Sequence, residues 1–192
     1  MQQIQAIVIG ASAGGTEALL ALLPALPPTL RVPVFVVLHQ PRDRPSLLVN
    51  IFQGRCAFDV SEASDKMSVH PCTIYFAPPD YHMLLEKDRT IALSADSAVQ
   101  FARPSIDVLF ESASDVYAQH LLGIILTGAN QDGAAGLRAI RDAGGMTIVQ
   151  DPMNAKVSLM PESAIAAVPD ATAMTLEQMA NFFRTLKCES ES

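Results

Sequence analysis

The sequence predicts an α/β domain, doubly wound, with a mostly parallel sheet, helices on both faces and one antiparallel hairpin. Three observations predict it. Short, wholly apolar runs recur at Ala6-Ile7-Val8-Ile9, Val34-Phe35-Val36-Val37-Leu38 and Leu121 to Leu126, as in strands covered on both faces. Helical patterns alternate with them from one end to the other. The composition suits such a core: 49% of the 192 residues are hydrophobic, yet only 6% are aromatic and none is Trp, so Ala, Val, Ile and Leu must fill the space between the layers.

The elements follow in order. The first strand runs into Gly10-Ala11-Ser12-Ala13-Gly14-Gly15, and Thr16 to Leu23 reads as a helix. After the second strand, Pro45 to Phe52 presents an apolar helical side. Cys72 to Ala77 is a third strand, closed by Pro78-Pro79. Met83 to Glu86 and Thr90 to Leu93, joined by Lys87-Asp88-Arg89, form the hairpin. Ser94 to Arg103 is polar and weakly patterned, and reads as a loop. Pro104 opens a helix with Ile106, Leu109, Phe110, Ala113 and Val116 at helical spacing. The strand ending at Leu126 precedes a helix from Gly133 to Ala143, stopped by Gly144-Gly145. Met146 to Val149 is a strand, Pro161 to Val168 a short helix and Ala171 to Met174 a short strand. A capping box at Thr175-Leu176-Glu177-Gln178 starts the last helix. Residues 1–187 form a single domain, and 188–192 a polar tail. Neither repeats nor low-complexity linkers interrupt it.

Charge and cysteine usage narrow the function. The formal net charge of −7 argues against nucleic-acid binding, which needs a basic face, and against docking on anionic lipid. Cys56, Cys72 and Cys188 are scattered, with no C-x-x-C pair, and read as cytosolic thiols rather than a disulfide framework or metal site. The first strand begins too soon for a signal peptide, and no apolar run has bilayer length. The expectation is a cytoplasmic protein without membrane insertion, metal or cofactor.

The first turn has two readings. G-x-S-x-G between strand and helix is the setting of a nucleophile elbow, with the Ser12 hydroxyl above the sheet near a helix N-terminus. Alternatively, the glycines only turn the chain and Ser12 caps the helix. The dinucleotide pattern fails because Ser12 replaces its second glycine, and no P-loop Lys follows. Sites in parallel α/β sheets form beyond the carboxyl ends of strands. Three polar residues stand there: Ser12 after the first strand, His39 after the second, and Asp132 in Thr127-Gly128-Ala129-Asn130-Gln131-Asp132. They supply a nucleophile, a base and an orienting carboxylate. Each has a bland reading too: His39 as a loop hydrogen-bonding residue and Asp132 as the cap of the helix at Gly133. His70 and His120 suit a turn and a helix end, and His82, before the hairpin, suits a structural role.

These residues belong to blocks that resemble the catalytic domain of the chemotaxis protein-glutamate methylesterases, the CheB family. The blocks are Ile9 to Gly15, His39-Gln40-Pro41, Ala77 to Met83, Arg103 to Phe110, Leu126-Thr127-Gly128 with Asp132-Gly133-Ala134, and Met160-Pro161. The resemblance runs from about Ile7 to Val168. It implies a serine hydrolase with Ser12 as nucleophile, His39 as base and Asp132 as orienting carboxylate. The implied substrates are glutamate γ-methyl esters on cytoplasmic chemoreceptor helices, with deamidation of glutamines a further implied activity. Ala13 and the Gly128-Ala129 turn are the candidate oxyanion donors. Arg103, together with Arg42 and Arg44, is a candidate contact for receptor carboxylates; a solvated surface role is the alternative for these arginines.

The chain departs from the family pattern at Ala13, where Thr is common, and at Ala129-Asn130, where Met-Gly is common. The N-terminal receiver domain of typical members is not in this sequence. The expectation is therefore basal activity indifferent to a phosphodonor, with a regulator in trans left open. Two other readings stay open: a small-molecule carboxylesterase or amidase with the same triad, and a non-catalytic interaction module.

Overall fold

The computed structural model describes residues 3–40 and 45–187; Arg42, Arg44 and Cys188 lie outside them. Seven parallel strands make the main sheet, in the order β10-β9-β8-β1-β2-β5-β3. These strands are β1 (Ala6–Ala11), β2 (Val34–Leu38), β3 (Asp59–Glu62), β5 (Thr73–Phe76), β8 (Leu121–Ile125), β9 (Met146–Gln150) and β10 (Thr172–Met174). Every residue of β1, β2, β5 and β8 is buried, which is why they read as unbroken apolar runs. From β1 the chain passes to β2 and then to β3 at the edge, β5 fills the place between β2 and β3, and the chain later returns to place β8 on the other side of β1. The order therefore reverses beside β1, where a crevice forms at the carboxyl edge.

Alternation along β1 sends side chains into two cores. Ile7 and Ile9 join Leu19 and Leu22 of α1 (Gly15–Leu22), Phe52 of α2 (Leu48–Phe52), and Met179 and Phe183 of α6 (Leu176–Thr185). Val8 faces the opposite layer. There it meets Phe110 of α3 (Ile106–Tyr117), Leu137 and Ile140 of α4 (Ala134–Asp142), and Ala164 of α5 (Leu159–Ala167). The capping box at Thr175 and Gln178 is formed as the sequence predicts.

The hairpin is β6 (His82–Leu85) with β7 (Thr90–Ser94), and it is part of a larger unit than expected. A two-residue strand, β4 (Met67–Ser68), pairs antiparallel with β7 to make a second, three-stranded sheet. β3 was not anticipated either. Its side chains Asp59-Val60-Ser61-Glu62 are none of them buried, so it carries no apolar signature. The helix expected from Pro45 begins at Leu48 instead, where the Ser46 hydroxyl accepts the Leu48 N–H at 3.3 Å. Among the described residues no helix is long and apolar enough to cross a membrane.

Candidate active site

The turn after β1 is held from the neighbouring strand end. Ser12 N–H donates to the Thr127 carbonyl at 3.0 Å, and the Thr127 hydroxyl donates to the Ala13 carbonyl at 2.8 Å. Thr127 is itself fixed by its N–H, which donates to Gln150 Oε1 at 2.8 Å. Gly14, with φ of 81°, is the N-cap of α1, and no side chain caps that helix. The capping role considered for Ser12 is thus not what the turn uses. A Cβ at Gly14 would stand 2.8 Å from the Lys156 side chain, so both the backbone angle and the close approach require glycine there.

His39 N–H donates to the Ala11 carbonyl at 3.0 Å, tying the end of β2 to the end of β1. Its Nε2 lies 2.8 Å from Asp132 Oδ2. Asp132 is fully buried and accepts three further bonds, all from the start of α3: Ser105 Oγ at 2.8 Å, Ile106 N–H at 2.7 Å and Asp107 N–H at 3.1 Å. Burial raises the Asp132 pKa, but His39 and the Ile106 and Asp107 N–H groups outweigh it and hold the carboxyl below its ordinary value. Asp132 therefore stays ionised. It does not cap the helix that follows it. Asp107 does that, accepting Gly133 N–H at 2.9 Å and Gly136 N–H at 2.7 Å. Gly133 makes the turn possible: its φ is 96°, and a Cβ would meet Ile125 at 2.5 Å and Ile106 at 2.7 Å.

The other His39 nitrogen, Nδ1, lies 3.3 Å from the Asn130 side-chain nitrogen. Ser12, His39, Asn130 and Arg103 line one pocket of about 250 Å³. Among the described residues, no hydrogen bond joins Ser12 Oγ to His39. Beside this pocket is a second hollow of about 370 Å³, lined by Gln100, Phe101, Ala129, Asn130, Gln131 and Leu159. Phe101 stands at the tip of a tight turn between Val99 and Ala102, and is 98% exposed.

The remaining candidates divide. Gly128, expected as an oxyanion donor, gives its N–H to the Val157 carbonyl at 3.1 Å; it fixes the segment before α5 and has no donor left for an oxyanion. Ala13 and Ala129 N–H groups have no backbone acceptor among the described residues. Arg103 reaches the pocket, but its guanidinium binds Asp80 Oδ1 at 2.7 and 3.1 Å and the carbonyls of Ala95 and Asp96 at 2.7 and 3.0 Å. Its geometry is that of a clamp on the loop leading to Phe101. His82 is buried, takes Ser105 N–H on Nδ1 at 3.1 Å and places Nε2 3.2 Å from the Ser97 carbonyl, the structural role the sequence suggested. Thr127, Gln150, Asn130 and Asp107 were not singled out as site residues, because nothing local to each in sequence shows its partner.

The model of one family, described as CheB methylesterase, matches residues 7–183. The chain belongs to the CheB methylesterase family. It is 45% identical over 179 residues to a Leptospira interrogans protein with the provisional name protein-glutamate methylesterase/protein-glutamine glutaminase, covering 93% of each chain. A Clostridium acetobutylicum protein-glutamate methylesterase/protein-glutamine glutaminase is 35% identical over 161 residues, which is 84% of this chain and 47% of that one. Among solved structures, the CheB methylesterase catalytic domain of Thermotoga maritima superposes with a TM-score of 0.89 at 27% identity, covering 95% of this chain and 98% of that one. This CheB-family chain thus shares both the family's sequence pattern and its fold.

Proposed function

We propose that this chain hydrolyses γ-methyl esters of glutamyl side chains on chemoreceptor helices, with Ser12, His39 and Asp132 as its catalytic triad. The observation that carries the proposal is the 2.8 Å contact between His39 Nε2 and a buried, ionised Asp132, beside a pocket shared with Ser12. A carboxylate at that nitrogen keeps the ring proton on Nε2 and leaves the Nδ1 lone pair facing the pocket. Nδ1 takes the Ser12 proton as Oγ attacks the ester carbonyl. Asp132 then stabilises the imidazolium. Ala13 and Ala129 N–H groups stabilise the oxyanion from the backbone. The tetrahedral intermediate collapses, the proton passes to the leaving methoxide, and methanol departs. Water repeats the sequence on the acyl-enzyme and restores a glutamate. With a glutamine side chain the same steps release ammonia, which accounts for the second activity in the relatives' names.

Each turnover exchanges a neutral ester for a carboxylate on the receptor, raising charge repulsion between packed helices and biasing a bistable signalling state. Arg103 contributes by holding the loop that carries Phe101 at the pocket mouth. Incubation with methyl-labelled receptors and, separately, with small methyl esters tests the substrate class. The proposal expects labelled methanol from the receptors at a rate well above that from small esters of equal concentration. Turnover of small esters alone would assign a carboxylesterase instead.

A further inference from the structure

Asn130 touches the proposed base. Its orientation is fixed by chemistry. The Asp132 N–H, which can only donate, meets Asn130 Oδ1 at 3.2 Å, so the amide nitrogen is the end that lies 3.3 Å from His39 Nδ1. The amide NH2 donates and His39 Nδ1 accepts, in agreement with a proton on Nε2 shared with Asp132. In the resting site Asn130 thus occupies the same lone pair that Ser12 must use.

When Ser12 takes that lone pair, the amide loses its acceptor. Asn130 lines the pocket with Ser12, and the acceptor that arises there during reaction is the ester oxygen. Of the backbone donors at this point, Ser12 N–H binds Thr127 and Gly128 N–H binds Val157, which leaves those of Ala13 and Ala129; the Asn130 amide adds a side-chain donor to these two. We propose that Asn130 is a catalytic residue whose side-chain amide donates to His39 Nδ1 at rest and to the oxyanion during turnover. The inference rests on the triad reading of Ser12 and His39. As the Ser12 Oγ–carbon bond forms, the carbonyl π pair moves onto oxygen, the Ser12 proton moves to Nδ1, and Asn130 Nδ2–H turns to the charged oxygen. On collapse the carbon–oxygen bond to methoxide breaks and Nδ1 gives its proton to the departing methoxide, which leaves as methanol. A hydrogen bond to charge is stronger than one to a neutral imidazole, so the exchange favours the transition state over the ground state.

The test measures methanol release by wild type, Ser12→Ala, Asn130→Ala, Asn130→Gly and Asn130→Asp, with circular dichroism to check the fold. The Asp variant keeps the oxygen that receives the Asp132 N–H and replaces the donor with a charged acceptor, so it serves if the smaller residues disturb the turn, while the Ala and Gly variants remove the donor without adding charge. The expected result is a kcat about 10²-fold lower in each Asn130 variant, with KM within about threefold of wild type. A kcat within threefold of wild type, or above it, in the folded variants overturns the proposal; an increase would mean that the amide only obstructs His39. If Ser12→Ala retains wild-type turnover, it is the triad reading that fails, whatever the Asn130 variants do.

Discussion

Asp132 accepts from the first turn of α3, and Asp107, within that turn, accepts from the first turn of α4. Each acid thereby meets orphan N–H groups at the other's helix start. The two carboxyls titrate in opposite directions. Burial, with the Asp132 charge beside it, raises Asp107 to about 6 against the pull of Gly136 and Gly133 N–H. The folded state then holds this proton more tightly than the unfolded chain between about pH 4 and pH 6. The Asp107 contribution to stability therefore falls as pH rises through that window. Asp132, held low, contributes stability that is present above about pH 4 and lost below it. Denaturant titrations of wild type and Asp107→Asn, which keeps the acceptor oxygen, should show the wild-type stability relative to the variant declining by about 1–3 kcal/mol from pH 4 to 6.5. A difference constant with pH would contradict the account. Ser12, His39 and Asp132 were legible in the sequence because each directly follows an apolar strand or its turn. Asp107 and Asn130 were not, since an acid in a first helical turn and an amide in a loop look ordinary until the tertiary fold supplies their partners.

The turn between β1 and α1 illustrates how an element sets a residue. Gly14→Ala must place a Cβ at φ of 81° and within 2.8 Å of Lys156 and 3.2 Å of Thr127. Gly54 has a similar φ of 77° but nothing within 4 Å of the added carbon. Gly54→Ala should therefore cost only its backbone strain, about 1 kcal/mol, and leave turnover unchanged. Gly14→Ala should cost about 1–3 kcal/mol and also lower kcat, by shifting Ser12 relative to His39. Thermal denaturation and methanol release on the pair decide this; equal losses of activity would contradict it. Buried strands and strongly amphipathic helices were readable within a few residues. The edge strand β3 was not, because its polar side chains carry no face-dependent pattern. Nor was β4, whose two residues are too short to show alternation.

At the scale of the molecule, one sheet separates two cores, and the strands that carry the proposed triad bury both faces. Leu19→Ala on one face and Phe110→Ala on the other should each lower stability by about 2–5 kcal/mol. Both should move a single unfolding transition, because β1 and β2 belong to both cores. Separate transitions in calorimetry would show that the faces unfold independently. The site is then a consequence of topology: the reversal beside β1 brings Ser12, His39 and Asp132 to one edge from three separate strands. The central claim is that Ser12 is the nucleophile of a methylesterase assembled there. Its most direct test is methanol release from methylated receptor by wild type and Ser12→Ala at matched concentration. Because Ser12 does not cap α1, the variant should fold with stability within about 0.5 kcal/mol of wild type. Its turnover should fall on the order of 10⁴-fold or more. A folded Ser12→Ala protein that releases methanol at a rate near that of the wild type would contradict the account.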